Sequence, residues 1–204
     1  TMSPANLYAD DALGNYPSAG GGGISAAHRG GFKYPSNLYS RDQGQYQFPH
    51  LWLFAVPFAV YSPGVISSLD IRVTSAGQAG AVVRLGVFAD AGMRPGALLA
   101  DLGTVAADTT GVRSVTGAVS VPTGLVWLGH ISQNCATTAP SMATPSGVAG
   151  AVSPWVPIDA LGGWGATGYR IQSSGITGAL PASWPTSPAT QTHPDTISMA
   201  VTFA

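Results

Sequence analysis

The sequence predicts an all-β fold: an antiparallel β-sandwich, jelly-roll-like, with an extended N-terminal arm. Three observations predict it. The 204 residues include no Glu and one Lys, Lys33, so two good helix formers are nearly missing. The 27 Gly and 16 Pro supply turns at short intervals. Between those turns apolar and polar residues alternate with period two, the spacing of a strand that covers one face.

Residues 1–50 lack that alternation. They hold the run Gly20 to Gly23 and a repeated phrase, Pro4-Ala5-Asn6-Leu7-Tyr8 and Pro35-Ser36-Asn37-Leu38-Tyr39. This stretch reads as an arm packed on neighbouring subunits, and residues 51–204 as the sandwich.

The strands follow in order. Leu51 to Tyr61 is a buried strand with Pro57 at a bend or an edge. Pro63-Gly64 turns the chain into Ile66 to Thr74, where Leu69, Ile71 and Val73 share one face and Asp70, Arg72 and Thr74 the other. Ala81 to Ala89 places Val83, Leu85 and Val87 in phase, and Asp90 caps the turn that follows it. Leu98 to Val105, Val112 to Val121 and Leu125 to Ser132 come next, the last with Leu125, Trp127, Gly129 and Ile131 in phase. By that phase His130 falls on the outer face. Tyr169 to Gln172 is one short strand. Thr196 to Ala204 alternates so regularly that it is expected inside a sheet. About eight strands at this spacing indicate a jelly roll.

Composition excludes several functions. Charged residues are 8% of the chain and the net charge is −1, so eight scattered cations form no basic patch for nucleic acid. The longest apolar run, Leu51 to Tyr61, is too short to cross a bilayer as a helix. One cysteine, Cys135, excludes an internal disulfide framework. So little charge fits a surface largely covered in an oligomer or a larger assembly.

Catalytic chemistry is not indicated. There is no G-x-S-x-G elbow, and without Glu a glycosidase would need an Asp pair. Asp90, Asp101 and Asp108 instead punctuate strands. His28, His50, His130 and His193 lie far apart, which predicts no metal centre, and no cofactor motif is present. Trp52 and Trp127 fall in strand patterns and are expected in the core. Two long loops, Asn134 to Gly168 and Ser173 to Pro194, interrupt the pattern, and loops of that length are often functional. In or beside them Trp155, Trp164, Tyr169 and Trp184 offer flat faces for sugar rings, while Gln172, Ser173 and Ser174 offer hydrogen bonds to hydroxyls.

From Leu53 to Gln133 an ordered set of phrases carries a resemblance. These are Phe54-Ala55-Val56-Pro57-Phe58, Ile71-Arg72-Val73-Thr74-Ser75-Ala76-Gly77, Val83-Arg84-Leu85-Gly86-Val87-Phe88-Ala89-Asp90, Pro95-Gly96-Ala97-Leu98-Leu99, Asp108-Thr109-Thr110-Gly111-Val112 and Gly124-Leu125-Val126-Trp127-Leu128. A late phrase, Gly175-Ile176-Thr177-Gly178-Ala179-Leu180-Pro181, is similar to a closing loop. Together they resemble a β-sandwich module of tailed-bacteriophage virion proteins, found in tail fibres and head fibres. Similar sandwiches also accompany secreted bacterial proteins.

The resemblance implies a fold and offers no catalytic residue. The expectation is a non-enzymatic virion protein, the distal domain of a fibre or spike assembled in the host cytoplasm. It would be a homotrimer that touches other virion proteins and a host-surface glycan. Two alternatives stand beside it: a capsid or tail decoration protein without a receptor role, and a carbohydrate-binding accessory module of a secreted bacterial protein.

Overall fold

The computed structural model describes residues 30–31, 33–35, 43–145, 168–186, 191–193 and 197–204. Twelve strands and no helix occur among the described residues. Eight of the strands form one folded ribbon. β2 (Gln43–Gln47) pairs with β9 (Ser141–Pro145), and β3 (Leu53–Val60) with β8 (Gly124–Gln133). β4 (Gly64–Ser75) pairs with β7 (Gly111–Val121), and β5 (Val82–Asp90) with β6 (Pro95–Ala106). All four pairs are antiparallel, so residues 43–145 make a long hairpin whose tip is the turn after Asp90.

The ribbon then rolls on itself. β9 pairs with β4 and β8 with β5, which yields one sheet in the order β2-β9-β4-β7 and another in the order β3-β8-β5-β6. That is a jelly roll. Four further short strands complete the two sheets. β12 (Met199–Phe203) lies between β1 (Lys33–Pro35) and β4, inside the first sheet as its alternation implies. β10 (Gly168–Ile171) and β11 (Gln191–His193) widen the second sheet beyond β3.

The boundary at residue 51 is corrected for the described part of the arm. β2 is the first strand of the jelly roll, and Phe48 is fully buried against Phe54 with ring centroids 5.0 Å apart. β1 is tied down by the ion pair between Lys33 and the buried Asp70. Sequence pattern missed β1, β2, β9 and β11. They are three to five residues long, and β2 reads Gln-Gly-Gln-Tyr-Gln, an edge strand with little to bury. Pro57 sits as expected: the register of β3 with β10 ends at Ala55, so this proline interrupts no ladder on that side.

Two cores share the second sheet. Between the sheets lie Phe54, Val56, Leu69, Ile71, Leu85, Leu128 and Val201 with their neighbours. On the opposite face of β3, β8 and β5 lie Leu53, Phe88, Trp127, Ile131, Tyr169, Leu180 and Trp184. Every residue of β8 from Val126 to Gln133 is therefore buried. This corrects the outer placement of His130. It faces the inter-sheet core at 0% exposure, stacked on Phe54 at 5.0 Å, while Trp127 and Ile131 face the second cluster.

The closing loop, residues 172–184, roofs that second cluster and is held by polar side chains. Gln133 Nε2 donates to the carbonyls of Ile176 and Gly178 at 3.0 and 2.8 Å. Asp101 accepts the Leu180 N–H at 2.8 Å. Gly86 is needed beneath the roof: a Cβ there would sit 2.4 Å from Leu180 Cδ1 and 2.7 Å from the Ala100 carbonyl oxygen. The phrases Val83 to Asp90 and Gly175 to Pro181 thus meet in space, sheet below and loop above.

Candidate functional site

The alternation of β10 decides which of the expected binding residues stay available. Tyr169 and Ile171 point to the second cluster, and Arg170 and Gln172 to the opposite side. Tyr169 is 3% exposed and packs on Trp127 at 5.3 Å, with the Arg94 guanidinium 5.9 Å from its ring centroid. Trp184 is 7% exposed and meets Phe88 edge to face at 5.5 Å. Neither offers an open face to a sugar, which corrects their reading as stacking platforms. They cover apolar surface on the face of the second sheet that is turned away from the first. Ser174 is also engaged, since its hydroxyl donates to the Leu51 carbonyl at 2.7 Å. Trp155 and Trp164 lie outside the described residues.

Gln172 remains half-exposed and belongs to a polar group that sequence did not assemble. The Arg170 guanidinium lies 5.1 Å from the ring centroid of Trp52, which is itself half-buried against Phe54. Gln191, on β11, accepts two hydrogen bonds at Oε1: from Arg170 Nε at 3.2 Å and from Gln172 Nε2 at 3.1 Å. Four residues from three stretches of chain are thereby locked together. Among the described residues no group partners the two Nη nitrogens of Arg170, the Gln191 amide nitrogen, the Gln172 carbonyl oxygen or the Trp52 indole N–H. The patch holds a ready set of donors beside an aromatic surface, with Arg170 and Gln191 on strands and Trp52 and Gln172 each directly flanking one. The available signal was the i, i+2 spacing of Arg170 and Gln172; nothing local placed Trp52 or Gln191 with them.

The described carboxylates Asp70, Asp90, Asp101 and Asp108 act structurally. Asp90 Oδ2 accepts the N–H groups of Gly92 and Met93, both at 3.2 Å, capping its turn as expected, and Oδ1 takes the Trp127 indole N–H at 2.8 Å. Asp108 accepts the Gly80 N–H at 3.2 Å, and Asp101 binds Arg84, Gly103 N–H and Leu180 N–H. No cluster of three metal-ligating side chains occurs among the described residues.

One thiol–imidazole contact is present. Cys135 Sγ lies 3.6 Å from His50 Nδ1, and the Cys135 N–H donates to the same nitrogen at 3.4 Å. Cys135 is 1% exposed, and burial pushes its thiol from 9.0 up to about 11. A thiol so raised stays protonated at neutral pH, whereas nucleophilic cysteines are lowered.

The class defined by this fold is a jelly-roll β-sandwich module. No protein-family model and no curated protein matches the chain. Among solved structures it is similar to "the cysteine protease and lectin-like domains of Cwp84, a surface layer associated protein of Clostridium difficile", at 14% identity and a TM-score of 0.46. The match covers 82% of this chain and 37% of that one, so the chain spans little more than a third of that protein's length.

Proposed function

We propose that the chain is a non-enzymatic attachment module, the distal domain of a phage fibre or spike, and that it holds a host-surface glycan at Trp52, Arg170, Gln172 and Gln191. The observation that carries this reading is the set of hydrogen-bonding groups beside the Trp52 ring that no described residue partners. Sugar recognition needs such groups: directional donors and acceptors for hydroxyls, next to an apolar ring for C–H faces. Among the described residues Asp90 and Asp101, in contrast, are engaged in a turn and in the roof loop, and the thiol is buried. The phrases from Leu53 to Gln133 support the virion setting, and the low charge supports a homotrimer in which weak single sites act together.

The test is a glycan array probed with the whole chain and with Trp52→Ala and Gln191→Ala, each first checked for the parent's circular dichroism. Binding that both variants lose supports the reading. No glycan bound, or binding unchanged in both folded variants, overturns it.

One observation favours a second reading. The patch is complete within one chain, as an accessory carbohydrate-binding module of a secreted bacterial protein would require. Light scattering separates the two: a trimer supports the fibre domain, and a monomer with glycan affinity supports the accessory module.

A further inference from the structure

We infer that the Trp52–Arg170–Gln172–Gln191 patch selects acidic saccharides, by pairing the carboxylate of a uronate unit with the outer edge of the Arg170 guanidinium. This rests on the glycan reading above and narrows it to one ligand class.

The orientation of Arg170 is fixed from two sides. Its Cζ lies over the Trp52 ring, 5.1 Å from the centroid, and its Nε is held by Gln191. What remains is the pair of Nη nitrogens, a planar fork that matches the two oxygens of a carboxylate. Among the described residues no carboxylate takes that place. Among the described residues the ion pairs are Lys33–Asp70 and Arg84–Asp101, and Asp90 and Asp108 are bound to backbone amides. Arg84 is thus satisfied internally, and no described residue supplies Arg170 with a counter-ion.

The neighbouring groups point the same way. The Gln191 amide nitrogen and the Trp52 indole N–H are further donors, against one acceptor, the Gln172 carbonyl oxygen. A neutral sugar presents hydroxyls that both donate and accept, and it would leave most of those donors competing for few lone pairs. A carboxylate only accepts. Stacking on the indole also keeps the guanidinium partly shielded from water, which strengthens its attraction for an anion.

The experiment is calorimetric titration of the whole chain with oligogalacturonate, with its methyl ester, and with a Glu-rich peptide of equal charge. The expected result is at least about tenfold tighter binding of the acid than of the ester, as a charge-assisted bidentate pair provides. Raising the salt should shrink that gap. Arg170→Ala should abolish the preference, and Arg170→Lys should keep the charge but lose most of it. Arg94→Ala removes an exposed arginine that lies over Tyr169, outside the patch, and should leave binding unchanged. Equal binding of acid and ester, both lost in Trp52→Ala, overturns the acidic selectivity and leaves the glycan reading standing. Peptide binding as tight as that of the acid overturns a saccharide site in favour of a general anion site. No saccharide bound at all overturns both readings. Should Arg170→Ala lose the parent's circular dichroism, the Arg170→Lys comparison decides.

Discussion

Arg84 Nη1 lies 3.0 and 2.9 Å from the two carboxylate oxygens of Asp101, joining β5 to β6 across the outer face of the second sheet. Asp101 Oδ2 also takes the Leu180 N–H, so the same carboxylate fastens the roof loop. Both side chains are largely covered, at 21% and 18% exposure, so water screens the pair only in part.

Replacing Asp101 with Ala is therefore expected to cost about 2 kcal/mol, within the range for a charged hydrogen-bonding group removed from partners left behind. Urea titration measures that loss. Hydrogen exchange should show where it falls, with the Leu180 and Gly103 amides losing protection before the β3–β8 ladder does. A loss spread evenly over the sheet would mean that the loop does not open independently.

The position of Phe48 sets how far the chain can be shortened. Removing residues 1–29 leaves every strand pairing among the described residues intact, and the melting temperature should fall little. Removing residues 1–50 deletes β1, β2 and the fully buried Phe48, and should abolish cooperative unfolding. Phe48→Ala alone is expected to cost about 3–5 kcal/mol. Thermal melts of the three proteins check this.

Trp127 is fully buried in the second cluster and donates its indole N–H to Asp90. Trp127→Ala should cost about 3–5 kcal/mol, the usual range for a large core aromatic. Trp127→Phe keeps much of the packing and loses the hydrogen bond; because Asp90 is exposed and can turn to water, the extra cost should be about 1 kcal/mol. Denaturant titration of both variants separates packing from the hydrogen bond.

Cys135 makes stability depend on alkaline pH. Its thiol ionises near 9.0 when exposed and near about 11 in the fold. Between those values the unfolded chain has released the proton and the folded one retains it, so rising pH favours unfolding. The contribution is fully present below pH 9 and is lost towards pH 11, amounting to about 2–3 kcal/mol at most. Cys135→Ala should flatten that part of the stability curve. At pH 8 the native thiol should react with a disulfide reagent far more slowly than the denatured thiol does.

Much of the architecture was legible in the chain. β3 to β8, β10 and β12 each carry a local signal, alternation or an apolar run bounded by Gly, Pro or Asp, and the last strand was rightly expected inside a sheet. The Asp90 cap was legible too, because a carboxylate reaching amides two and three residues on is a local event. Period two, however, says only that two faces differ; it cannot say which of them meets the other sheet. β8 is buried on both sides, so Trp127 and His130 are both interior, and only the roof loop and β10 made the outer side a second core. β2 and β9 carry too few apolar residues to announce themselves, yet they form the outermost pair of the rolled ribbon, where a ladder needs backbone alone. The candidate site was the least legible part. Trp52, Arg170 and Gln191 come from three distant stretches, and each is unremarkable beside its own neighbours. Pairing β10 with β3 and β11 with β10 brings them within hydrogen-bonding and stacking distance, and long-range strand pairing of that kind leaves no trace in local sequence.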